Sequence, residues 1–256
     1  MFADYPGGGV QVAGVHEEEP LPARYGTPDP PLPGSLEGML ARRGIRLYCH
    51  QAEVLNLARA GRDAVLCTPT ASGKTLSFCL PVFEALLRDP EATALFLYPM
   101  KALAYDQLAA VRGFESGAGL DLGVEVYDGD TPDSKRRKIR ERSRVVLSNP
   151  HAMHRYLRYH RLWERFYRGL KFVVLDEAHW YRGVFGSHVA YVLRRLFRVA
   201  EHYGSRPQVL AASATMADPA EHLGKLCGRQ FRVVSQSGAP RGRKTYLFWN
   251  APAWEG

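Results

Sequence analysis

Ala64-Val65-Leu66-Cys67-Thr68-Pro69-Thr70-Ala71-Ser72-Gly73-Lys74-Thr75 holds an apolar run, a glycine-bearing loop and the start of a second apolar segment. Ala64 to Cys67 predicts a short buried strand, and Lys74 to Leu87 predicts a helix. Between a strand and a helix, such a loop points its backbone amides, and the positive end of the helix, at an anion. The loop amides of Thr70, Ala71, Ser72 and Gly73 are therefore candidates to hold phosphates, with Gly73 permitting close backbone approach. Lys74 would reach the β- and γ-phosphates of a nucleotide, and the Thr75 hydroxyl would ligate Mg²⁺. Thr68 stands where the motif usually begins with glycine, which counts against a GTPase or kinase loop. The plain alternative is a chance glycine-rich turn, and the strand–loop–helix context argues against it.

Two later strings fit the same chemistry. Phe172-Val173-Val174-Leu175 predicts a strand and runs into Asp176-Glu177-Ala178-His179. A carboxylate at the carboxyl end of a parallel strand lies at the crevice where ligands bind. Asp176 is a candidate Mg²⁺ ligand, and Glu177 a candidate to orient or deprotonate water. Alone, the pair reads as a solvated turn; paired with the phosphate loop it reads as catalytic. The third string, Ser213-Ala214-Thr215, follows the predicted strand Gln208 to Ala211. His179 could exchange hydrogen bonds with Ser213 or Thr215, linking nucleotide state to that loop.

Outward from these strings, short Val/Ile/Leu-rich runs alternate with longer helical patterns from residue 35 to residue 237. Further strands are expected at 94–98, 123–127, 145–148 and 231–234. Ser35 is expected to cap a helix reaching Arg43. The alternation predicts an α/β fold with a mostly parallel central sheet and helices on both faces. Residues 1–34 are crowded with prolines and predict an extended or poorly ordered arm. Residues 238–256 lose the periodicity and read as a linker leaving the domain.

The 256 residues suffice for one large α/β domain, and 46% hydrophobic content supports a substantial core. The formal charge of +8 suits a polyanionic partner without demonstrating one. The four cysteines form no CxxC pair, which argues against a zinc site or a disulfide framework. The start of the chain carries no signal-peptide pattern, and no apolar run is long enough to span a bilayer. The expectation is a cytoplasmic protein with no membrane association.

Together, Thr68 to Thr75, Asp176 to His179 and Ser213 to Thr215 resemble motifs I, II and III of superfamily 2 helicases. Tyr48-Cys49-His50-Gln51 looks like the Q-type element, in which Gln51 would read the adenine edge. Pro99 to Gln107 looks like motif Ia, with Met100 in place of its usual threonine, and Ser148-Asn149-Pro150 looks like motif Ib. The stretch Tyr181 to Ala190, with Leu193 to Leu196, is similar to bacterial DEAH-type DNA-repair helicases of the MrfA/YprA kind. The resemblance implies a RecA-like P-loop NTPase domain with ATP and Mg²⁺ as cofactors. It implies a motor on single-stranded or tailed DNA, completed by a second RecA-like domain. Arg241-Gly242-Arg243 lacks the flanking residues of that second domain's arginine motif, so the chain reads as the first motor domain alone. ATP binding should then survive, while hydrolysis is slow.

The same resemblance makes Lys101, Gly129, Ser148 and Asn149 candidates for backbone contact with nucleic acid. Each could instead be an ordinary turn or cap, and Asn149-Pro150 would start a helix in any protein. The basic run from Lys135 to Arg144 reads first as a solvated helix face and second as a DNA edge. Trp180, Tyr181 and Phe185 could stack on a base or pack beneath the loop. An RNA motor and a non-catalytic nucleic-acid-binding module remain open alternatives.

Overall fold

The computed structural model describes residues 12–250. Its frame is a seven-stranded sheet in the order β4-β5-β3-β6-β7-β2-β8, with every neighbouring pair parallel. In chain order the elements are β1 (Val12–Glu18), α1 (Gly34–Arg42), α2 (Cys49–Arg59), β2 (Ala64–Cys67) and α3 (Lys74–Arg88). Then come β3 (Thr93–Leu97), α4 (Lys101–Gly117), β4 (Glu125–Val126), α5 (Asp133–Arg142) and β5 (Val145–Ser148). Next are α6 (Pro150–Tyr156), a 3₁₀ stretch, α7 (Glu164–Arg168), β6 (Leu170–Leu175) and a short 3₁₀ turn (Ala178–Trp180). The chain finishes with α8 (Gly183–His202), β7 (Gln208–Ser213), α9 (Pro219–Cys227), β8 (Arg232–Val234) and β9 (Lys244–Trp249).

Alternation along the strands divides the core in two. Ala94 and Phe96 of β3, with Phe172 and Val174 of β6, join Phe78, Leu80 and Phe83 of α3 on one face. Leu95, Leu97, Val173 and Leu175 join Val189, Leu193 and Leu196 of α8 on the other. This is the continuous apolar strand pattern that helices on both faces require. Because all seven strands run the same way, Cys67, Leu97, Ser148, Leu175 and Ser213 end at one edge of the sheet. β2 and β7 are neighbours with Cys67 opposite Ser213, and β7 pairs on its far side with β6. The phosphate loop, the acidic turn and the Ser213 loop are therefore brought side by side by strand register alone.

The helix predicted from Ser35 is present, but Ser35 does not cap it. α1 begins one residue earlier, with Pro33 at the cap position and no side-chain cap bond. The described part of the arm is extended, as expected, while the tail departs from its reading. Val12–Glu18 pairs antiparallel with Lys244–Trp249, so residues 244–249, read as linker without regular structure, form a strand. The arm then crosses the domain, with Leu21 bridging Arg241 and the Arg24 amide donating to the Gly238 carbonyl at 2.8 Å. Among the described residues no helix is long and apolar enough to cross a membrane.

Candidate functional site

The phosphate loop leaves β2 at Thr68 and enters α3 at Lys74. Gly73 occupies the cap position of α3 in the left-handed region, at φ +80° and ψ +32°, and no side chain caps the helix there. The amides of the first turn therefore remain available to an anion. Thr68 finds a use here: its hydroxyl lies 2.7 Å from that of Ser72, both buried, closing the base of the loop. Thr70 and Ala71 stand exposed at the loop crest. Lys74 Nζ donates to the carbonyls of Thr68 at 3.0 Å and Ser213 at 3.2 Å. It thus already spans the gap between motif I and the Ser213 strand. Thr75 Oγ1 donates to Gln107 Oε1 at 2.9 Å.

Gln51 lies against the phosphate loop. It is buried, its Nε2 donates to the Gly73 carbonyl at 3.1 Å, and its Oε1 accepts from the Tyr48 amide at 2.9 Å. With one amide hydrogen on Gly73 and its oxygen on the Tyr48 amide, Gln51 braces the phosphate loop.

Asp176 is only 7% exposed, and its Oδ1 accepts the Glu177 amide at 2.8 Å. Burial pushes its carboxyl up to about 6, the neighbouring Glu177 charge adds to this, and the Lys74 charge opposes it. A buried carboxylate and, on the facing loop, a threonine hydroxyl are hard-oxygen donors of the kind Mg²⁺ takes when phosphates supply further ligands. The residues therefore fit a Mg²⁺–nucleotide. Glu177 has left-handed backbone, φ +48° and ψ +44°, which turns the chain sharply into the 3₁₀ turn.

His179 meets neither Ser213 nor Thr215 through their side chains. Its Nδ1 accepts the Ala214 amide at 3.3 Å and lies 3.2 Å from Glu177 Oε2. One nitrogen cannot serve both at once. While it accepts from Ala214 the proton is on Nε2; to donate to Glu177 it must be protonated and release Ala214. The Ser213 hydroxyl is buried against Met216 Sδ at 3.2 Å, and Thr215 is exposed. His222 of α9, which the sequence reading passed over, holds the acidic turn from the other side: its Nε2 is 3.1 Å from the Ala178 carbonyl. Gln107 and His50 were passed over too. Both lie inside motif-like strings, but only the fold shows what they touch.

The four nucleic-acid candidates divide. Lys101 and Gly129 sit at the exposed edge, with Lys101 Nζ on Asp130 at 2.8 Å. Ser148 and Asn149 have buried side chains, and Asn149 starts a helix as its reading as an ordinary cap expects. Ser148 donates to the Tyr127 carbonyl at 2.6 Å, and Asn149 Oδ1 caps α6 by accepting the Ala152 amide at 2.9 Å. Their side chains shape the edge from beneath. The basic run divides likewise. Arg136 bonds the Tyr156 hydroxyl at 2.9 Å, Arg144 holds carbonyls of Leu86, Asp89 and Ala92, and Arg137 pairs with Glu141. Lys135, Lys138 and Arg142 remain exposed. Tyr181 is core, donating to the Leu97 carbonyl, whereas Trp180 is 52% exposed and Phe185 is exposed beside it.

Comparison with known proteins accords with this geometry. The family model described as DEAD/DEAH box helicase matches residues 48–223. The uncharacterized ATP-dependent helicase YprA of Bacillus subtilis is 41% identical over 96% of the chain, which covers 33% of that protein. The ATP-dependent helicase hrq1 of Schizosaccharomyces pombe is 36% identical over 98% of the chain, covering 24% of its length. Among solved structures, the helicase MrfA bound to DNA and AMPPNP superposes with a TM-score of 0.92 at 40% identity. That match covers 96% of the chain and 35% of MrfA. The chain thus spans about a third or less of the length of these relatives. The seven-stranded parallel sheet is that of a RecA-like helicase domain.

Proposed function

The chain belongs to the DEAD/DEAH box helicase family, and from that premise we propose that it is the first motor domain of an ATP-dependent DNA helicase serving DNA repair. Residues 35–237 form the motor unit in this reading, and residues 238–256 lead toward a second RecA-like domain. The observation that carries it is the position of Lys74, whose Nζ joins the phosphate loop to the end of β7 while Asp176 lies buried beside it. DNA is favoured over RNA because MrfA, on which the chain superposes with a TM-score of 0.92 at 40% identity, was captured on DNA.

On ATP arrival, the loop amides of Thr70 to Gly73 and the first turn of α3 receive the phosphates. Lys74 exchanges its carbonyl partners for the β- and γ-phosphates, and Thr75 leaves Gln107. The metal's charge would neutralise the phosphates, held by Thr75 and Asp176. Glu177 orients water toward the γ-phosphate and accepts its proton. His179, with one nitrogen between Glu177 and Ala214, ties the state of that carboxylate to the Ser213 loop.

The test is ATP turnover and fluorescent-ATP binding with single-stranded DNA, with RNA and with neither. Lys74→Ala should weaken ATP binding at least about tenfold, the order of one lost charge-assisted contact. Equal binding by wild type and Lys74→Ala would overturn the reading. Stimulation by RNA alone would replace it with an RNA motor.

A further inference from the structure

His50 lies between two parts of the molecule that neither the motifs nor the proposed mechanism connects. It is wholly buried at the first turn of α2, one residue before Gln51. Its Nδ1 accepts the backbone amide of Gly238 at 3.0 Å. Its Nε2 lies 3.0 Å from the carbonyl of Ser72 in the phosphate loop. An amide can only donate, so Nδ1 carries no proton; Nε2 then carries it and donates to Ser72. The ring is held in one tautomer and completes a chain of bonds from Gly238 to the phosphate loop.

The surroundings hold both ends of that chain tightly. A Cβ at Gly238 would lie 2.4 Å from the Arg24 carbonyl and 2.7 Å from Cys49 Sγ, so only glycine fits. The Arg24 guanidinium donates to the Ser237 carbonyl at 3.0 Å, and the Cys49 amide donates to the Arg24 carbonyl at 2.9 Å. The imidazole stacks on Tyr48, which stacks on Tyr25 of the arm, which lies under the Arg46 guanidinium. Gln51, on the same turn of α2, holds the next loop carbonyl, Gly73. Two adjacent residues of one helix thus grip two adjacent carbonyls of the loop, and one of the two also grips the segment by which the chain leaves the motor unit.

We propose that His50 is a positioning residue that relays the conformation of the phosphate loop to residues 237–241, so that nucleotide binding and the path of the departing chain are set together. This rests on the reading of the loop as an ATP site. When the loop closes on phosphates, any shift of the Ser72 carbonyl moves the donor that faces it, and the rigid ring passes the shift to Gly238. The relation is reciprocal: displacing Gly238 must alter the loop.

The test is backbone amide exchange at Gly238 and at residues 70–75, with and without ATP. His50→Asn keeps an acceptor in the place of Nδ1 and gives up the reach to Ser72. His50→Gln keeps a donor toward Ser72 and withdraws the acceptor from Gly238. In the wild type, saturating ATP should change the Gly238 rate about fivefold to tenfold, the scale of one hydrogen bond. In both variants ATP should still protect the loop while the Gly238 response disappears. A purely structural histidine would shift both resting rates and leave the Gly238 response intact. That result, or a wild type whose loop responds while Gly238 does not, would overturn the relay.

A nucleotide-free arm separates this from failure of the ATP reading. Gly238→Ala should speed loop exchange in the wild-type background and add little to His50→Gln, a non-additivity expected only of residues in one network. Full additivity, or an unmoved loop, would end the proposal whether or not ATP binds. Should His50→Gln fail to fold, His50→Asn carries the same comparison.

Discussion

At the level of single residues, the placement of Lys74, Thr75, Asp176 and Glu177 just past the ends of β2 and β6 was legible from the apolar runs that precede them. What those residues touch was not. Thr68, read only as a missing glycine, ties the loop base to Ser72. Ser148 and Asn149, read as backbone-contact candidates or as ordinary turn and cap, have buried side chains, and Asn149 caps α6. The Asn149 cap follows from its place before Pro150, whereas the bond from Ser148 to the Tyr127 carbonyl, made across the β4 side of the sheet, could not be read from spacing. His50 offers a pH prediction. Burial holds its imidazole below the ordinary value of 6.5, against the Ser72 carbonyl, which favours the charged form. The Tyr48 ring stacks on it, and beyond that ring Tyr25 lies under the Arg46 guanidinium, while Arg24 bonds the Ser237 carbonyl next to Gly238. Because the folded state binds this proton less well than the unfolded state, its contribution is intact above 6.5. That contribution is lost as pH falls from there through the lowered folded value. Urea denaturation between pH 7.5 and 5.5 should show wild type losing stability relative to His50→Gln. The difference between the two removes the similar share of His222 and the opposite share of Asp176, whose raised carboxyl favours folding at lower pH. A constant difference would count against the buried neutral ring.

At the level of elements, strand order was the part that could not be read. The sequence reading placed β2, β5 and β6 to within two residues, because short apolar runs between helices have distinct edges. Nothing in the strings themselves shows that β2 lies beside β7, a pairing that brings Cys67 level with Ser213 from far along the chain. The β1–β9 ribbon escaped for the same reason: its partners lie more than two hundred residues apart, and its strands expose both faces, so neither shows an alternating pattern. The entry of α8 carries a sharper demand. A Cβ at Gly186 would come within 2.3 Å of the Tyr181 carbonyl. The backbone of the acidic turn and that of the helix touch there, with no side chain that could move aside. Gly186→Ala should cost about 1–3 kcal/mol, the range for overpacking. It should also displace the turn holding Asp176 and Glu177, so that denaturant midpoint and ATP turnover fall together. Unchanged stability would show that the turn yields freely.

At the level of the whole molecule, the nucleotide-facing groups described here come from one side of the sheet edge: loop amides, Lys74, Thr75, Asp176 and Glu177. Charge on a transferring phosphoryl group is commonly stabilised by an arginine reaching in from elsewhere, worth about 10³–10⁵ in rate. The chain by itself should therefore bind ATP and turn it over slowly. Turnover should rise by orders of magnitude, in the presence of DNA, in a version extended to the length of its relatives. Rapid DNA-stimulated turnover by these 256 residues as a monomer would show that the full complement of groups is already present.

The ribbon of β1 and β9 also has a mechanical meaning. Val12 lies opposite Trp249, Glu18 opposite Lys244 and Leu21 opposite Arg241, with Arg24 bonded to Gly238 further in. Tension that draws residue 12 away from residue 249 loads these pairs one at a time, as a zipper opens, whereas the seven-stranded sheet would have to shear many bonds together. The ribbon should peel first, from Val12 and Trp249 inward, and take up extension before any load reaches Gly238, His50 and the phosphate loop. A pull on the tail is in this way spent along the ribbon, and only a sustained one arrives at the phosphate loop.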